Sequence, residues 1–209
     1  MSNPRSASPT QTAVLLASFP VLLGFQLLIF DRWISFMDEG HILQLADVVA
    51  RGGELYRDAT TYPLPGAYYL LAWMFELFET SNRAARYLVS VEFALLGVCV
   101  VSILRRFVPP ALTLVGLVLV IAYRVWSFPH WHIYTYSATA LCLLAAALAL
   151  LLRFLETGNR RVLAAAGLVG GLGALCKQDY GAAALLALNL TLLLRFASRP
   201  AGPREALVP

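Results

Sequence analysis

The sequence predicts an all-α fold: a polytopic transmembrane helical bundle of about six spans, with a long first extracytoplasmic loop carrying membrane-surface helices. Three observations predict it. Hydrophobic residues make up 59% of the 209-residue chain and charged residues 13%, about half the roughly 25% charged share of an ordinary globular domain. Mean hydropathy is +0.70, more than a globule of this size can hide from water. The apolar residues also fall in runs long enough to cross a bilayer, separated by charged connections. The same composition excludes a disordered chain, and three cysteines are too few for a small disulfide scaffold. The net charge of +4 does not indicate nucleic acid. The basic residues, all Arg apart from Lys177, lie at the ends of apolar runs and never form a block.

Residues 1–11 read as a polar cytoplasmic tail. The first span, 12–30, has a weakly charged flank and is followed by Asp31-Arg32-Trp33 instead of a small-x-small cleavage site, so it reads as a retained anchor. Later spans are expected at 87–104, 107–123, 133–152, 162–176 and 180–194. The last two hold about 15 residues, roughly 23 Å of helix, and cross only with snorkelling flanks or local thinning of the membrane. Residues 12–197 form one membrane domain, and the Pro/Gly-rich stretch 198–209 reads as a disordered cytoplasmic tail. With the N-terminus inside, Arg105, Arg106, Arg153, Arg160, Arg161 and Arg195 are cytoplasmic, while the short outer connections hold only Arg124 and Lys177. Positive residues in short loops set topology, so this orientation is preferred and the chain is placed in the cell membrane.

The connection 31–86, about 55 residues, is longer than a passive loop needs to be. Over 38–51, His41, Gln44, Asp47 and Arg51 recur three and four apart with Ile42, Leu45, Ala46 and Val49 between them. That period predicts an amphipathic helix lying on the outer membrane surface. Gly52-Gly53 ends it. Tyr62-Pro63-Leu64-Pro65-Gly66 predicts a rigid turn, and the run 67–78, with Glu76, is too short and too charged to cross and reads as interfacial or re-entrant.

Two blocks carry a resemblance. The first is Asp38-Glu39-Gly40, then Gly53-Glu54-Leu55-Tyr56-Arg57-Asp58, then Tyr62-Pro63-Leu64-Pro65-Gly66-Ala67-Tyr68-Tyr69-Leu70-Leu71-Ala72. The second is Ala166-Gly167-Leu168-Val169-Gly170-Gly171-Leu172-Gly173, ending in Lys177-Gln178-Asp179-Tyr180-Gly181. In order and spacing these resemble the C-type membrane glycosyltransferases, and more narrowly the bacterial family 39, protein-mannosyltransferase-like enzymes. The resemblance implies transfer of a sugar from a polyprenyl-phosphate carrier to a glycan, lipid or protein acceptor on the outer face. The carboxylates after the first span would be central to it. Members of that family usually have several hundred residues and more spans, so this chain is expected to be a short or truncated member.

Such a transfer needs a base to accept the proton of the attacking hydroxyl. Asp38 is the candidate, although Asp at this point also reads as a helix cap. Glu39 is the second carboxylate, orienting the acceptor or joining a metal site; a divalent ion stays open as a cofactor, and the sequence points to no other. Lys177 offers a fixed cation for the departing lipid phosphate, or else is a snorkelling anchor. Arg57 offers a bidentate fork to the donor phosphate, or else pairs with Asp58 on the surface. His41, Asp58, Tyr62, His130, His132 and Asp179 are candidates for lining the acceptor cleft; the histidines lack a strong ligand spacing, and Tyr62, Tyr68 and Tyr69 also suit an interfacial belt. Glu92, about five residues into the second span, is a functional candidate because intramembrane acids are expensive, or else sits near enough to the outer surface to be hydrated. Gly167 and Gly171 form a small-xxx-small pair suited to close helix packing. Cys99, Cys142 and Cys176 read as small buried hydrophobes. Two other functions stay open: a non-catalytic remnant or subunit of a split enzyme, and a transporter or flippase-like protein, which predicts polar residues in mid-membrane.

Overall fold

The computed structural model describes residues 8–32, 38–128 and 132–197. Those residues form eight helices, α1 Pro9–Leu27, α2 Asp38–Ala50, α3 Gly66–Phe78, α4 Asn82–Leu104, α5 Pro110–Trp126, α6 Tyr136–Thr157, α7 Arg160–Cys176 and α8 Gln178–Ala197. The all-α expectation holds. Three helices, α1, α4 and α6, are long and apolar enough to cross a membrane, and α5 is apolar but shorter. Each expected span is occupied by a helix, with starts set by local chemistry. Ser8 and Gln11 form a reciprocal capping box on α1, with Pro9 in its first turn. Ser81 and Thr135 accept from the Ala84 and Ala138 amides, which starts α4 at Asn82, ahead of the expected 87, and α6 at Tyr136, behind the expected 133. Gly158, at φ +66°, closes α6 in the left-handed conformation that residues with a Cβ resist.

α4 packs against α1 and α6, α6 against α7, and α7 against α8, while α5 sits on α1 and α4. The chain alternates direction between two ends. At one end, Gln11 Nε2 donates to the carbonyls of Arg105 (3.2 Å) and Val108 (3.0 Å), and Arg106 pairs with Glu156 at 2.7 Å. The start of α1 and the ends of α4 and α6 therefore meet there, joined by the end of α8 through Arg195 stacked 4.5 Å over Phe154. The opposite end gathers the end of α1, the starts of α4 and α6, the end of α7, and α2 and α3. Lipid tails are as apolar as leucine, so close packing and polar contacts hold such helices together more than hydrophobicity does. Gly181 shows this: a Cβ there would come within 2.1 Å of Ala174 Cβ, so α7 and α8 touch backbone to backbone.

Two expectations change. The apolar face of α2, Ile42, Leu45 and Ala46, is buried in a cluster with Tyr68 and Leu71 of α3, so it packs on protein instead of resting on lipid. α3 has the outward apolar stripe: Tyr69, Trp73 and Leu77 are exposed four residues apart. Gly167 and Gly171 face open space, and the tight positions of α7 are Gly170 and Gly173, against Ala147 and Leu143. The sequence pattern found the small residues of α7 but chose the wrong face as the packed one.

Candidate active site

Asp38 is the first residue of α2, and His41 follows one turn later on the same side. Both line an open cleft of about 560 Å³, together with Thr61, Tyr62, Tyr68 and Tyr136. The Asp38 carboxylate makes no hydrogen bond or ion pair with another described residue. It lies inside the helix, so the cap position precedes it; the first turn still suits an acid, because the amide ends of the helix carry partial positive charge.

Glu39, its neighbour, is held quite differently. Its carboxylate receives the fork of Arg86, Nε on one oxygen and Nη2 on the other at 2.6 Å, and both residues are buried. Arg86 Nη1 donates to the Phe30 carbonyl at 2.8 Å. The pair ties the start of α2, where Asp38 sits, to α4 and to the segment just after α1. Glu39 does not line the cleft. Among the described residues no three His, Cys, Asp or Glu side chains are grouped to hold a metal ion, and both Glu39 oxygens are engaged by Arg86.

Lys177 follows the last residue of α7 in extended backbone. Its ammonium is 3.5 Å from Asp179 Oδ2, 4.7 Å from the Tyr180 ring centroid and 6.0 Å from that of Tyr136. The Tyr136 hydroxyl is 2.7 Å from that of Tyr62, and the two rings meet edge to face. Tyr136 thus belongs to the cleft that Asp38 lines and also borders the lysine. The two sequence blocks are in direct contact here. A Cβ on Gly66 would lie 2.7 Å from the Leu175 carbonyl oxygen, so only glycine lets the Tyr62–Gly66 turn seat against the end of α7.

The other candidates lie elsewhere. Arg57 spans Asp58 (3.0 and 2.9 Å) and Glu54 (2.9 Å) on the surface, and none of the three lines the cleft. The Arg57 fork and then the Glu54 amide hold Asp58 down at about 2. His132 is fully buried: Nδ1 is 3.3 Å from Gln26 Nε2, Nε2 is 3.0 Å from the Arg124 carbonyl oxygen, and Phe128 is edge-on. It joins α1 to α5 and does not line the cleft. Burial first, then the Arg124 cation, pushes its pKa down to about 4. His130 lies outside the described residues. Glu92 is buried, with Oε1 accepting from Thr139 at 2.8 Å, and is not hydrated at the surface.

Sequence reasoning missed Arg86 and Tyr136. An arginine one turn inside an apolar helix was a usable signal for the first. Tyr136 had none, since it reads as one more aromatic at a span end.

Compared with known families, residues 61–200 match the family model described as dolichyl-phosphate-mannose-protein mannosyltransferase. The matched stretch carries Tyr62, Tyr136, Lys177 and Asp179 and begins after Asp38. No curated protein and no solved structure matches the chain.

Proposed function

The chain belongs to the dolichyl-phosphate-mannose-protein mannosyltransferase family, which makes it a membrane glycosyltransferase with a lipid-linked sugar donor, and on that premise we propose how its own residues perform the transfer. The donor is a polyprenyl-phosphate sugar and the acceptor a hydroxyl of a glycan, lipid or protein. The acceptor oxygen attacks the anomeric carbon while its proton passes to the Asp38 carboxylate. The bond from that carbon to the carrier phosphate oxygen breaks, and the phosphate departs as an anion beside Lys177. This is a single displacement, so the anomeric centre inverts. Tyr136 connects the two functions, since it lines the cleft with Asp38 and borders Lys177. Positive residues prefer the cytoplasm; the end rich in Arg105, Arg106, Arg160 and Arg161 is assigned there, which puts the N-terminus inside and the cleft on the outer face.

One observation carries the reading: an acid with free lone pairs and a lone lysine, nearly 140 positions apart, border the same tyrosine at the same end of the bundle. The test is transfer by purified protein against a panel of polyprenyl-phosphate sugars. Asp38→Asn is expected to lower kcat by about 10²–10⁴-fold with an unchanged Tm, and Lys177→Met by about 10²–10³-fold. Normal turnover by Asp38→Asn overturns the assignment.

A further inference from the structure

We infer that the groove between α4, α5 and α6 is a binding site for a long-chain lipid alcohol. α5 packs on α1 and α4 but makes no extended contact with α6, its successor in the chain. The gap is a cavity of about 660 Å³ that follows α4 from Val89 to Leu104 and α5 from Gly116 to Arg124. Its length is lined by aliphatic side chains such as Leu96, Leu119 and Leu141, about 18 Å from Glu92 to Leu104 along the helix. One end is polar. Glu92 Oε1 is engaged by Thr139, but Oε2 is buried with no hydrogen-bond partner among the described residues. Arg124 shares that wall, its guanidinium carbon 4.7 Å from the Phe93 ring centroid.

A buried carboxyl oxygen in an apolar groove calls for a hydrogen-bond partner, because leaving it unmet is costly. A phosphodiester head, such as that of a lipid-linked sugar, only accepts and brings a full negative charge beside the Glu92 carboxyl. An ammonium head donates but is opposed by Arg124. A neutral hydroxyl suits both, donating to Oε2 with its own oxygen turned toward the cation, while its chain fills the aliphatic length. The site therefore disfavours the phosphate end of a lipid-linked donor, and it reaches the neighbourhood of the transfer cleft at Tyr180, whose ring lies 4.7 Å from the Lys177 ammonium. It holds whether or not the proposed reaction does.

The test uses the full chain in nanodiscs of saturated phosphatidylcholine with three probes of equal chain length: hexadecanol, hexadecylamine and the diester hexadecyl methyl phosphate. Hexadecanol at tenfold its Kd is expected to raise the apparent Tm by about 4 °C, with no shift from the other two. Glu92→Leu removes that preference, and Ala145→Phe, which fills the groove, removes the shift itself. Equal protection by all three heads, no protection by the alcohol, or a preference that survives both substitutions overturns the site.

Discussion

Two adjacent carboxylates illustrate how little residue type alone decides. Asp38 and Glu39 differ by one methylene and one position, yet the first faces an open cleft and the second is locked on Arg86. Their substitutions separate accordingly. Glu39→Gln leaves the Arg86 cation in a buried site without its counter-charge, which costs about 3–5 kcal/mol, and so a Tm drop of about 10 °C in detergent. The paired substitution Glu39→Leu with Arg86→Met replaces both charges by apolar groups and is expected to recover most of that loss. If Glu39→Gln instead keeps the wild-type Tm and only lowers turnover, Glu39 works in the cleft and not as a strut. The sequence made Asp38 legible because an acid at a helix start beside a family-like block is a local signal. It could not separate Glu39 from Asp38, because the partner that distinguishes them is 47 residues away on another helix.

At the level of elements, helices were easy to place and their faces harder. Apolar runs and caps are local, so the eight helices were nearly all foreseeable. Which face meets which neighbour depends on packing, and that is where α2 and the glycines of α7 departed from expectation. The glycines provide a direct check. Gly66→Ala drives a Cβ toward the Leu175 carbonyl, and backbone cannot move aside as a side-chain tip can. Forcing such a contact costs about 1–3 kcal/mol, and shifting the turn also carries Tyr62 away from Tyr136, so transfer falls along with Tm. Gly171→Ala meets nothing within 4 Å; it gains about 1 kcal/mol of helix propensity and leaves transfer intact. Matched thermal melts and transfer rates of the two variants decide the point. Equal Tm values mean that α3 and α7 do not seat as closely as this geometry has them.

Across the whole molecule, charge is divided between two ends with different chemistry. The end with Arg106 and Glu156 holds a partly exposed pair, whereas the end near the cleft buries Glu39, Arg86, Arg124 and His132 among α1, α2, α4 and α5. That concentration predicts how the fold responds to acid. His132, pushed down to about 4 from 6.5, stays neutral in the native state while the unfolded chain protonates near pH 6.5. Between those values the unfolded state binds the extra proton, so stability rises with pH: His132's contribution is complete above pH 6.5 and is lost as pH falls to 4. The shift corresponds to about 3 kcal/mol. Asp58 acts lower; with its pKa held at about 2 against the ordinary 3.8, its contribution persists above 3.8 and fades only as pH drops toward 2. Chemical denaturation in detergent from pH 7 to 4 is therefore expected to show a stability loss that His132→Gln flattens. Gln can still hydrogen-bond toward Gln26 and the Arg124 carbonyl but has no proton to take up in that range. An undiminished slope in His132→Gln would place the acid sensitivity of the bundle in another group.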